Sequence, residues 1–206
     1  MRLLAIYLTS IICGFCLMAL EMLGGRLLYP CFGSSIDVWA AIISVFILSL
    51  SIGYVIGGRI ADRSKDNRPL AWIILGAGVL YMTLPIYALS ASEAVGGVLG
   101  QLRFGVLMAG LVLFVVPSLL LGMVSPVLVK LVFVSADRVG RTTGTLYAVG
   151  SIGNVLGILV TDYVLLEYVS LNATMVGMGA VLAALALAHL AVRMQAEAPV
   201  QAGANA

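Results

Sequence analysis

Three carboxylates sit in or beside apolar stretches of this chain, and they are where chemistry is first to be sought. Glu21 is the first charged side chain after Arg2, and Asp162 and Glu167 stand in the late apolar stretch ILVTDYVLLEYV. A charged group at the centre of a membrane helix costs about 2.5–3.5 kcal/mol on insertion scales, and less toward the interface, so each should face protein or water. Brought together, the three would suit a cationic solute or a proton. The alternative is structural: Glu21 pairs with Arg26 or with polar groups of the fifth helix, and the other two rest in the headgroup zone. Asn154, with Ser151 and Thr161 near it on the same stretch, can hydrogen-bond across helices, either as packing glue or as a contact to solute. Glu21, Asp162, Glu167 and Asn154 are thus the candidate substrate-binding residues.

Other reactive side chains point elsewhere. Cys13 and Cys16 form a C-x-x-C, but a redox pair needs an accessible thiol, and these lie inside an apolar run. They are expected to be buried filler, and no structural disulfide is expected with Cys31. His189 is the single histidine, too few for a metal site. Asn172, Ala173 and Thr174 spell a glycosylation triplet that abuts a helix end and carries little weight. There is no phosphate-binding glycine loop with its lysine and no nucleophile elbow. The expectation is no enzyme, no catalytic residue, no metal and no cofactor.

The elements that position these residues follow from composition. The chain has 206 residues, 62% hydrophobic and 10% charged, with a mean hydropathy of +1.15. A soluble domain carries about 25% charged residues, so the solvent here is the bilayer. At about 20 apolar residues per crossing, the length accommodates six helices. They are expected at about 3–23, 38–60, 70–90, 104–129, 145–168 and 173–192, giving an all-α, polytopic domain over 1–193. The fourth should kink at Pro117 or Pro126. Gly24, Gly25, Pro30, Gly33, Ser34 and Ser35 are expected in the first loop, and 194–206 in a disordered tail. Arg2 followed by an apolar run has the polarity of a secretory signal, but no small-x-small cleavage site follows cleanly, so the first segment is expected to be retained.

Charge sets the orientation. The stretch GYVIGGRIADRSKDNR ends an apolar run in Arg59, Asp62, Arg63, Lys65, Asp66 and Arg68. With the N-terminus inside, these four cations join Arg2, Lys130, Arg138, Arg141 and Arg193 on the cytoplasmic side, leaving only Arg26 and Arg103 outside. Short loops rich in Lys and Arg stay in the cytoplasm. Both termini are therefore expected there, in the inner membrane of a bacterium. Gly53 with Gly57, and Gly153 with Gly157, form small-xxx-small pairs that let helix backbones approach in lipid, and their expected role is packing.

Gly58, Asp62 and Arg63 also match the Gly-x-x-x-Asp-Arg loop between the second and third helices of major facilitator superfamily transporters. The segments EMLGGRLLYPCFGSSIDVW, GYVIGGRIADR, VVPSLLLGMVSPVLVKL and GRTTGTLYAVGSIGNVLGILVTDYVLL, in that order, resemble the transmembrane region of bacterial spermidine-synthase-like membrane proteins. The resemblance covers all but the sixth helix and the tail. It implies a six-helix bundle like one half of a major facilitator transporter, with Asp62 bracing the inner helix ends amid Arg59 and Arg63. Lys65 and Asp66 replace the glycine and arginine usual after that Asp-Arg. The soluble synthase domain of longer members is not in this sequence, so no synthase activity is expected. A transporter of that type needs two halves around a cavity. The expected function is thus a transporter-like subunit, for a small cation such as a polyamine, acting as a homodimer or with a partner protein. The alternative is a non-transporting anchor or assembly partner for another protein.

Overall fold

The computed structural model describes residues 2–64, 66–99, 103–132 and 139–192. Lys65, Arg138, Arg193 and the tail 194–206, all named above, lie outside the described residues. The fold is all-α and has six helices long and apolar enough to cross a membrane. They are α1 (Arg2–Phe32), α2 (Ile36–Arg63), α3 (Arg68–Leu99), α4 (Arg103–Val132), α5 (Val139–Val160) and α6 (Leu171–Ala191). Between α5 and α6, the chain continues through a π-helical segment, Thr161–Leu165, and a last turn, Leu166–Tyr168.

The helices outrun the expected boundaries. Gly24, Gly25 and Pro30 fall inside α1 and not in a loop. Gly24 lies under the Phe114 ring and Gly25 under Trp39, so large neighbours fill the space that a side chain would take, and the backbone stays helical. α1 stops only at Gly33, whose φ of 71° and N–H to Tyr29 O at 2.8 Å make a left-handed cap. Ser35 then caps α2, its Oγ accepting from Val38 N–H. α3 likewise runs past residue 90 to Leu99, and α4 carries both Pro117 and Pro126 inside the helix.

Backbone contact at glycine sets the helix pairs. A methyl group on Gly53 would lie 2.5 Å from Leu119 O, and one on Gly57 2.6 Å from Met123 Cα, so α2 and α4 touch backbone to backbone. Gly153 and Gly157 of α5 meet the backbones of Ile11 and Phe15 in the same manner. The third pair, α3 with α6, closes at Gly78 and Gly179, where each would-be methyl falls within 2.8 Å of the other's carbonyl oxygen. Hydrophobic burial cannot hold helices together in lipid, so this close packing contributes much of the cohesion.

These contacts repeat. The string SIGYVIG at 51–57 of α2 returns as SIGNVLG at 151–157 of α5, differing only at Tyr54/Asn154 and Ile56/Leu156. Their partners repeat too: Leu119, Gly122 and Met123 of α4 stand where Ile11, Gly14 and Phe15 of α1 stand. Gly122 faces Leu50, as Gly14 faces Gly150. Exchanging α1, α2 and α3 for α4, α5 and α6 therefore maps the principal helix pairs onto themselves. Three helices per repeat make the two repeats run in opposite directions, an inverted repeat.

One end is clasped by a buried polar cluster. Thr9 of α1 spends its proton on Ala5 O at 2.8 Å, so at 2.7 Å it accepts from His189 Nε2–H of α6, which places a hydrogen on Nε2. Asn67, at the start of α3, donates to the carbonyls of His189 and Val192 at 2.8 Å each. Asn67→Ala is expected to cost about 1–3 kcal/mol, the penalty for leaving buried acceptors unmet. Asn67→Asp should cost more, because it sets a carboxylate against two carbonyl oxygens. Thermal midpoints of the two variants check this order.

Candidate functional site

Where the two repeats meet, α1, α2, α4 and α5 line a partly open cavity of about 150 Å³. Its polar lining is Ser10, Cys13, Tyr54, Ser125, Ser151 and Asn154, with Tyr147 at one wall. Repeat-equivalent residues contribute from both sides: Tyr54 of α2 faces in where Asn154 of α5 does. Asn154 reaches its place because Gly14 has no side chain; a methyl there would lie 2.7 Å from Asn154 Oδ1. Ser10 Oγ donates to Leu146 O at 3.4 Å, a long bond that leaves its lone pairs for other donors. Such a volume with several polar partners suits water or a small solute. No carboxylate, ammonium, guanidinium or imidazole is among the described residues that line it.

Tyr147 also lines a second cleft, of about 340 Å³, with Gly58, Ala61, Asp62, Pro126, Val129 and Lys130. That cleft lies at the end where α2 and α4 finish, so the tyrosine stands between the cavity and the charged end of the bundle. Asp62 and Lys130 flank this cleft. Among the described residues Asp62 makes no ion pair with Arg59 or Arg63, and all three are exposed.

The acids do not share the cavity. Asp162, on the π segment, pairs with Arg26 at 3.4 Å, and the two line a separate depression of about 420 Å³ with Met22, Gly25, Tyr29, Ser34, Val38 and Trp39. Neither Glu21 nor Glu167 lines it. Glu21 is half-buried in α1 and Glu167 is exposed on the last turn before α6. Arg26 is thus engaged by Asp162, not by Glu21. With 55% and 39% of the two side chains exposed, the pair is worth well under 1 kcal/mol. Arg26→Ala should leave the thermal midpoint within about a degree of wild type, for the same reason.

Of the four candidates from sequence, Asn154 alone lines the cavity. Ser10, Cys13, Tyr54, Ser125 and Tyr147 were not anticipated there; of these only Tyr54 lies in the repeated heptapeptide, at the position equivalent to Asn154, and the other four carry no such signal. Cys13 and Cys16 are buried free thiols, and Cys13 borders the cavity. Comparison of the chain with family models, curated proteins and solved structures finds no match.

Proposed function

We propose that this chain is a transporter-like integral membrane subunit that holds a small solute between its two inverted repeats and works as a homodimer. The observation that carries the reading is the hydrogen-bonding cavity at the meeting of the repeats. Transporters built from inverted repeats place their solute at that junction, near the bilayer midplane. The six-helix bundle is what the resemblance to one half of a major facilitator transporter implies; a transporter of that type has its main cavity between two such halves, which a homodimer would supply. The nine-to-two division of basic residues supports a cytoplasmic N-terminus and C-terminus, in a bacterial inner membrane. On that orientation Tyr147, Asp62 and Lys130 lie toward the cytoplasm.

A second copy supplies what one lacks. Only 17% of the most apolar stretch of α5 is buried, against 39–50% in the other five helices. Tyr54, Tyr147 and Ser151 border the cavity on that uncovered side, and polar groups turned toward hydrocarbon are costly. A dimer closing over α2 and α5 would seal the cavity from lipid. The cationic form of the reading would rest on Asp162, which Arg26 already neutralises.

The test is uptake of radiolabelled glycerol and putrescine into proteoliposomes, by wild type and by Asn154→Leu. Saturable uptake of either, lost in the variant, is the expected result. No uptake above protein-free liposomes, with a second protein co-purifying in equal amount, would replace this reading with the anchor.

A further inference from the structure

We infer that the cavity between the repeats selects an uncharged, hydroxyl- or amide-bearing solute and excludes ions of either sign; this rests on the transport reading above and names its substrate class. The lining carries three serines, one asparagine and two tyrosines, every one of which both donates and accepts. A polyol or a small amide has the same double character, so each hydrogen bond it gives up to water can be replaced. An ion finds no counter-charge in the lining. Asp62 and Lys130, of opposite sign, line the neighbouring cleft beyond Tyr147, and Glu21 stands one turn of α1 past Leu17 without lining the cavity. An ion entering the cavity would lose hydration without a partner, and that penalty is several kcal/mol in a low-dielectric site. The size agrees: about 150 Å³ has room for several waters or a molecule the size of glycerol.

Cys13 offers a native reporter. In the full chain carrying Cys16→Ala and Cys31→Ser, reconstituted in nanodiscs, the modification rate of Cys13 is measured with three methanethiosulfonates of similar size. They carry a ureidoethyl, a trimethylammonioethyl or a sulfonatoethyl group, the first being the uncharged, amide-bearing one. Each rate is normalised to that of a free thiol in solution. Ser125→Cys, in a chain lacking the three native cysteines, is the second reporter, and Ile47→Cys, on the outer face of α2, is the lipid-facing control. The ureidoethyl reagent should react at both reporters at least about tenfold faster than either charged reagent, reflecting the ionic desolvation penalty. Glycerol should slow it. Equal rates for all three reagents overturn the solute class while leaving a wet site in place. Rates at both reporters no higher than at Ile47→Cys overturn the site itself, and with it the transport reading.

Discussion

Gly153→Ala is expected to destabilise the protein by about 1–3 kcal/mol, and Gly153→Leu to prevent folding, because there is no space for a methyl group between α5 and α1. The new carbon would meet the carbonyl oxygen, Cα and carbonyl carbon of Ile11, all backbone atoms. A flexible side chain can swing away from such a contact. A helix backbone can only retreat, and retreat opens the whole α1–α5 seam, including Gly157 against Phe15. The inverted repeat makes the prediction double: Gly53→Ala should cost a similar amount at the α2–α4 seam, where Leu119 and Gly122 stand in for Ile11 and Gly14. Gly58→Ala is the control, since nothing lies within 4 Å of its added carbon and alanine is the better helix former by about 1 kcal/mol. Thermal unfolding in detergent, read as the loss of monodisperse protein, ranks them. A Gly153→Ala variant as stable as Gly58→Ala would mean that the seam is not closed as described.

Tyr147→Ala is expected to raise the rate at which water-soluble reagents reach Cys13 by about tenfold or more, the second large effect. Tyr147 belongs both to the cavity and to the cleft beside Asp62 and Lys130, so removing its ring joins the two spaces. A ring of that size is the difference between a wall and a passage, and about 1.4 kcal/mol off the barrier is already tenfold. Tyr147→Trp should do the opposite. Labelling of Cys13 by N-ethylmaleimide, in a background with Cys16→Ala and Cys31→Ser, measures both. If the alanine variant labels no faster, Tyr147 does not separate the cavity from the charged end.

Much of this was legible from residues alone, and the reason is physical. Six long apolar stretches must be helices in lipid, because the backbone has no other way to satisfy its N–H and C=O groups there. The pairs Gly53–Gly57 and Gly153–Gly157 stood out by spacing, though only the fold shows which helices they bring together. Helix ends were harder. Gly24 and Gly25 read as a loop, yet Phe114 and Trp39 fill the space above them and keep α1 helical to Phe32. The site was the least legible part. In a helix apolar on all sides, periodicity does not separate a serine facing lipid from one facing a cavity, so Ser10 and Ser125 carried no signal, and Ser151 stood out only beside Asn154. Charge drew attention to Glu21, Asp162 and Glu167 because ions are costly in a membrane, but that cost is also lowered at helix ends, where Asp162 meets Arg26. The clasp of Thr9, Asn67 and His189 joins residues from both ends of the chain, which no local pattern could connect.

Hydroxyl-radical footprinting of the wild-type protein in nanodiscs marks side chains that touch water, and so reads whether the space between the repeats is wet. Tyr54, Tyr147 and Cys13 should be modified far faster than Tyr81, which is fully buried with its hydroxyl donating to Cys16 O at 2.7 Å. Modification of all four at the same low rate would contradict the account, for it would mean that lipid or packed protein, not water or solute, fills the space between the repeats.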